Sequence, residues 1–376
     1  MKRIGLLTSG GDCQGLNAAL RGIAKSLTLH THGKIEIYGI QDGYRGLMEG
    51  ICRRMSMDDF SGILTLGGTV LGTSRQPYKQ IRAGKKDQIK NMKYHYSNWG
   101  LDCLMILGGN GTHKTANLLS EEGLNIITLP KTIDNDLWGT DMSFGFQSAV
   151  NNASYVIDCI HTTATSHSRV FIVEIMGHKV GWLTLYAGIA GGADVILVPE
   201  IPYNIESVAD ALRNRARQGK QFSILAVAEG AISTDESGLS KSQLKMERSK
   251  MVYPSISYRL ATEINNLTGQ ETRVTVPGHF QRGGSPCPYD RVLATRFGTA
   301  AAQLACEEKY GYMVALKNNA IINIPLKKVA GKLKTVPQDC DLIETAKNRL
   351  YNKCWGVTNR PAKKEQKSRA YSMKNL

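Results

Sequence analysis

The chain predicts a doubly wound α/β protein with a second α/β lobe. Two strand–glycine turn–helix units, beginning at Arg3 and at Leu101, place small-residue loops at one edge of a sheet. Leu101–Leu107 is a continuous apolar run, as a parallel strand buried on both faces must be. From Arg169 to Ala228, short apolar runs alternate with helical patterns, which is the rhythm of a further parallel sheet.

Taken in order, Arg3–Thr8 is a short apolar strand. It enters Ser9-Gly10-Gly11-Asp12-Cys13-Gln14-Gly15 and then an amphipathic helix through Leu16, Ala19, Leu20, Ile23, Ala24 and Leu27. This unit has neither the G-x-x-x-x-G-K-[ST] of a P-loop nor the G-x-G-x-x-G spacing of a dinucleotide site. Lys34–Ile40 is a second strand, ending in a loop with Tyr44 and Arg45. Gly67–Arg75 is a small-residue loop that ends on a cation, and Gly84–Asn98 is a basic, solvent-facing helix. The turn Gly108-Gly109-Asn110-Gly111-Thr112 has almost no side chain to keep a polyphosphate from its backbone N–H groups. After the strand Asn125–Leu129, Lys131–Asp136 offers a cation, a hydroxyl and two carboxylates within six residues, a set suited to phosphoryl transfer.

In the second lobe, Gly145–Thr163 reads as a helix, Arg169–Met176 as a strand, Gly181–Ala190 as a helix and Ala193–Pro199 as a strand. Ile205–Arg217 is the next helix and Phe222–Ala228 the next strand. Residues 231–253 form a polar excursion. Helix Pro254–Leu267 and strand Thr272–Pro277 lead to Gly278–Pro286, a turn dense in donors for a phosphate and sugar hydroxyls; helix Pro288–Glu308 and strand Tyr312–Leu316 then return to the first lobe.

Composition agrees with a globular two-domain chain: 376 residues, 42% hydrophobic, 38 glycines. No apolar run approaches about 18 residues, so no membrane helix is expected. The opening MKRIGLLTSGG has the basic start of a secretory leader, but its apolar part is too short, and it reads as the first strand. Eight scattered cysteines without C-x-x-C spacing imply reduced thiols in a cytoplasmic protein; the His30/His32 pair reads as solvated. The net charge of +15 raises nucleic acid as a partner. About a third of the excess lies in 359–376, a basic tail expected to be disordered, and no aromatic-interleaved basic motif supports that partner.

In order and spacing, Gly10-Gly11-Asp12, the loop ending in Arg75, Gly108–Thr112, Pro130–Asp136, Met176-Gly177, Val227–Gly230 and Gly278–Pro286 resemble the motifs of the 6-phosphofructokinase family over about residues 2–325. The resemblance implies two Rossmann-like lobes with the active site in the cleft between them. The larger, donor lobe would span 1–145 plus about 283–325 and the sugar-phosphate lobe 146–282, followed by a helical extension over 326–358. It implies transfer of the γ-phosphoryl of ATP to O1 of fructose 6-phosphate, assisted by Mg2+, with Asp134 as general base and Thr132, Arg75 and Lys131 at the transferring group. Gly11, Tyr44, Arg75, Gln76, Gly109, Asn110, Gly111 and Thr112 would line the donor, and Asn110 and Asp136 would hold the metal. Thr132, Ile133, Asp134, Met176, Gly177, His178, Glu229, His279, Phe280, Gln281 and Arg282 would hold the sugar phosphate. Arg169 and Arg273 would reach a neighbouring subunit's site in a homodimer or homotetramer.

Asn110 stands where most members carry an aspartate, and His178 replaces the usual arginine. Lys131 matches pyrophosphate-using members, whereas Gly111 matches ATP users, because an aspartate there crowds the nucleotide's α-phosphate. The pairing resembles a mixed group that uses ATP. Of the family's regulatory nucleotide site, Arg21 and Asp194 match and Lys25 and Lys220 are compatible. His161 and Gln218 stand where regulated bacterial members have cations, which argues against control by ADP or phosphoenolpyruvate. The alternatives are a pyrophosphate-dependent enzyme, sedoheptulose 7-phosphate as acceptor, and a catalytically weak regulatory paralogue suggested by Asn110 and His178.

Overall fold

The computed structural model describes residues 1–349 apart from 84–86, 251 and 253–254. The tail 359–376, and the part of the expected extension from 350 on, lie outside the described residues.

Apolar runs at the expected places form two sheets. The first has seven strands: β1 (Lys2–Thr8), β2 (Ile35–Ile40), β3 (Cys52–Met55), β4 (Cys103–Gly108), β5 (Ile126–Pro130), β10 (Tyr312–Lys317) and β11 (Ala320–Pro325). Their spatial order is β11-β10-β5-β4-β1-β2-β3, with a parallel centre and antiparallel edges at β3 and β11. The second sheet is parallel and runs β7 (Val195–Leu197), β8 (Ser223–Ala228), β6 (Val170–Ile175), β9 (Thr272–Thr275). β4, β5, β6 and β8 are buried at every position, which accounts for their unbroken apolar character. One continuous core joins the sheets, from Leu6 and Leu107 through Phe144 and Phe146 to Ile172 and Leu225.

Helix Pro288–Cys306 returns the chain to the first sheet by packing along helix Leu16–His30. A side chain at Gly22 would press on the Thr295 backbone, and one at Gly298 on Ala19 O at 2.6 Å, so paired glycines set this close crossing. Helix Ile205–Arg217 has the expected bounds.

Two expectations are corrected. The loop after β2 is a short helix, Tyr44–Glu49, that turns into the unforeseen edge strand β3. Of the helix expected over Gly84–Asn98, Asp87–Asn98 is present and 84–86 lie outside the described residues; an unforeseen helix, Tyr78–Ala83, stands before it. The region after 326 is not simply helical: after the short helix Leu326–Val329, residues 330–340 run as an irregular strap to helix Asp341–Arg349. Within the polar excursion, Ser240 caps helix Lys241–Ser249. The seven described cysteines are free thiols, and among the described residues no helix is long and apolar enough to cross a membrane.

Candidate active site

In the first sheet, Thr8 pairs with Leu107 and Gly108 with Pro130, so β1, β4 and β5 end side by side. They deliver Ser9–Asp12, Gly108–Thr112 and Lys131–Asp136 to one edge, at strand spacings of about 4.8 Å. The strand order reverses between β1 and β4, the crevice at which open α/β sheets bind ligands.

Gly10 has φ 84°, a left-handed turn that favours glycine. Its N–H donates to Ser74 O at 3.1 Å and its carbonyl accepts from Thr73 Oγ1 at 2.7 Å. That clamp brings exposed Arg75 over the turn. A Cβ at Gly11 would stand 3.3 Å from Arg75 Nη2 and 3.0 Å from Arg282 Nη1, and Arg282 also donates to Asp12 O at 2.9 Å. Lys131 Nζ donates to Gly11 O. Three cations therefore converge on Gly10–Asp12, and burial pulls the Lys131 ammonium below its usual range. Arg282 meets the first sheet's turn, so it is shared between the two halves of the site rather than confined to the sugar side.

Gly108–Thr112 is built differently. Helix Asn110–Glu121 starts here, directing unbonded N–H groups and the positive end of its dipole into the crevice. A Cβ on Gly111 would meet nothing within 4 Å. Beneath the turn, His113 Nδ1 donates to Gly109 O at 2.9 Å; burial holds this ring neutral, with its pKa lowered to about 4. Tyr44 is enclosed and donates to Thr112 O at 2.9 Å, so it props the turn from behind and does not line a donor. Asn110 commits its Nδ2–H to Lys332 O at 2.6 Å, a bond an aspartate could not make.

In the acidic loop, Thr132 Oγ1 accepts from Asp134 N at 3.0 Å, which leaves its own proton free to donate. Asp134 is half-buried. Ile133 is fully buried, so only its backbone is available to a ligand. Asp136 is pushed up to about 7, chiefly by burial and next by the Asp134 charge, and its Oδ1 has no partner. An orphaned carboxylate oxygen beside a second carboxylate suits a hard divalent cation, and Mg2+ characteristically takes one or two carboxylates plus substrate phosphates. Asn110 has turned its amide nitrogen to the strap, so Asp134 and Asp136 carry that fit. Among the described residues no group of three or more His, Cys, Asp or Glu side chains forms a closed metal site.

The second sheet contributes from the ends of β6 and β8, where Ile175 pairs with Ala228. Glu229 Oε1 accepts from Gly177 N at 3.2 Å and His178 N at 2.7 Å, holding His178 at φ 53° with its side chain exposed. Gln281 is buried: its Oε1 accepts from Met176 N and its Nε2 donates to Gly278 O. It braces the turn and does not face a ligand, whereas His279 and Phe280 are exposed. Gln14 Nε2 to Gly283 O fastens that turn to the first glycine turn, and Asn152 Nδ2 to Phe280 O ties it to helix Phe146–Ala164; sequence reading assigned neither side chain a role, Gln14 being read only as part of its turn and Asn152 only as part of a helix.

Arg169 and Arg273 are not brought to this crevice. Both pair with Glu271, Arg169 just before β6 and Arg273 in β9, at the end of the second sheet opposite Met176. Asp194, expected in a regulatory site, is paired with Arg215 at 2.7 Å.

A cation-lined glycine turn, a helix N-terminus and a hydroxyl–carboxylate loop at one switch point define a phosphotransferase architecture. Residues 3–305 match the family described as Phosphofructokinase. An ATP-dependent 6-phosphofructokinase of Spirochaeta thermophila is 54% identical over 94% of this chain and 98% of its own, and ATP-dependent 6-phosphofructokinase 3 of Bacteroides thetaiotaomicron is 47% identical over 91% and 96%. The Pichia pastoris phosphofructokinase structure superposes with a TM-score of 0.75 at 32% identity, covering 88% of this chain, which spans 35% of that longer one. A pyrophosphate-dependent phosphofructokinase of Nitrosospira multiformis superposes at 0.78 over 92% of this chain and 90% of its own, but at 19% identity that likeness shows the fold alone. The chain belongs to the phosphofructokinase family.

Proposed function

We propose that the protein is an ATP-dependent 6-phosphofructokinase, converting D-fructose 6-phosphate to fructose 1,6-bisphosphate in glycolysis, in the cytoplasm. The observation that carries this is the convergence of Lys131, Arg75 and Arg282 on Gly10–Asp12, beside Thr132 and Asp134. Asp134 accepts the proton of the sugar's O1 hydroxyl as O1 bonds to the γ-phosphorus and the bond from that phosphorus to the β-bridging oxygen breaks, releasing ADP. Thr132 donates to the transferring group, and the guanidiniums and the lysine offset the charge on its oxygens. Asp136 and Asp134 would hold Mg2+, which when bound would supply positive charge to offset that of the donor phosphates.

Gly11, Gly109, Gly111, Thr112 and Gln76 border the donor, and the open space at Gly111 favours a nucleotide over pyrophosphate. The sugar phosphate lies against Met176, Gly177, His178 and His279, with the free oxygen of Glu229 accepting from its hydroxyls. Arg169 and Arg273 complete a neighbouring subunit's site in a homodimer or homotetramer.

A coupled assay on the purified chain tests this. Product should form from fructose 6-phosphate with Mg·ATP, and Asp134→Asn should lower kcat by about 10²–10⁴-fold, the range of a general base. Turnover with pyrophosphate but not ATP would replace the donor assignment, and no turnover with either would leave the regulatory-paralogue reading.

A further inference from the structure

The strap after helix Leu326–Val329 crosses both functional loops on its way to the second sheet. Lys332 O accepts from Asn110 of the donor turn, and Leu333 bridges antiparallel to Leu137. Lys334 N donates to Asp136 O at 2.8 Å. Its largely buried ammonium donates to Asn135 Oδ1 at 2.8 Å and to Thr140 O and Asp141 O, both at 2.9 Å. Lys334 O accepts from Trp182 Nε1 at 3.0 Å, and Val336 N donates to Glu200 Oε1 at 3.0 Å, the same carboxylate that accepts from Gly181 N.

An ammonium has three N–H groups, and all three go to the turn that carries Asn135 and closes behind Asp134 and Asp136. None of the three acceptors is a carboxylate oxygen, so this buried charge has no direct ion-pair partner; an apolar side chain would fasten the strap without that desolvation cost. A lysine here makes sense if the shape of that turn matters more than the anchoring of the strap. Burial pulls this ammonium down to about 7, and in its charged form its field reaches the Asp136 and Asp141 carboxylates of the same loop.

We propose that Lys334 is a positioning residue for phosphoryl transfer: its ammonium fixes the Asn135–Asp141 turn and, through it, the carboxylates of Asp134 and Asp136. Through Asn110 and Trp182, the same strap holds the donor turn and the second sheet in register with that loop. The proposal rests on the reading of Asp134 as the base.

The test compares three full-length variants in the ATP assay, with KM and kcat separated for each. Lys334→Met should lower kcat by about 10- to 100-fold, the cost of a misplacement near 1 Å, while KM for fructose 6-phosphate stays within about twofold. Trp182→Phe, which removes the N–H to the Lys334 carbonyl and trims the ring that Lys334 Nζ faces at 5.7 Å, should lower kcat in the same direction by about three- to tenfold. Asp134→Asn is the control on the underlying reading: if it keeps its activity, that reading fails whatever Lys334 does. If Asp134→Asn is inactive while Lys334→Met and Trp182→Phe keep kcat within about twofold, or change only KM, the positioning role is overturned. Should Lys334→Met not fold, Trp182→Phe decides alone.

Discussion

Gly11 and Gly111 each sit in a glycine turn after a buried parallel strand, yet their surroundings are opposite. A methyl group at Gly11 would crowd the tips of Arg282 and Arg75, whereas one at Gly111 would meet no atom within 4 Å. The first turn is closed by charge, with Lys131 on its carbonyl; the second is open and is shaped from beneath by the neutral His113 and Tyr44. On the proposed reading, similar composition serves two tasks: the first turn holds charge that moves, and the second leaves room for the bulk of the donor.

The largest effect that would break this division is at the first turn. Arg75→Ala should lower kcat by about 10²–10³-fold, as expected for a preorganised donor to a developing charge, with a smaller change in KM for ATP. An equal loss of kcat on neutral substitution at the second turn would erase the distinction. At that turn, Gly111→Asp places a carboxylate in the open space. It should raise KM for ATP about 10- to 100-fold and spare KM for fructose 6-phosphate, as measured by initial rates.

Acid separates the turns by stability rather than by rate. Burial lowers the folded-state pKa of the His113 ring to about 4, below the ordinary histidine value of about 6.5, so the unfolded chain binds the proton first. Stability from this site is fully present above about pH 6.5 and is lost as pH falls towards 4, by up to about 3 kcal/mol. Thermal melts of His113→Gln should show a flatter acid limb over that window than the parent. The smallest effect belongs to Gly111→Ala, expected to change KM for ATP by no more than about threefold, since the methyl meets open space. A larger change would mean that the donor approaches this backbone as closely as the arginines approach Gly11.

Much of this frame was legible in the residues because its causes are local. Doubly buried strands must be apolar throughout, and glycine turns before helices mark the edge where β1, β4 and β5 end. Burial of individual side chains was not legible. Tyr44, Ile133 and Gln281 lie beside ligand-facing positions in sequence and point the other way in space, because alternate residues of a turn serve its two sides. Edge strands β3 and β11 lack the unbroken apolar signal of the centre, having one free side. Lys334 was invisible for another reason: its acceptors lie nearly 200 positions earlier, and two of them are backbone carbonyls that no side-chain pattern encodes.

The strap also fixes when the site can exist. β10 inserts between β5 and β11, and only after it does the chain reach Lys334 and Val336, so the loop bearing Asp134 and Asp136 is complete in sequence some two hundred residues before its last supports are made. On the proposed reading, the catalytic geometry is therefore not set during synthesis until residues 334 and 336 have been added. A nascent chain that already holds the phosphate turns and the acidic loop lacks the contacts that set them against one another.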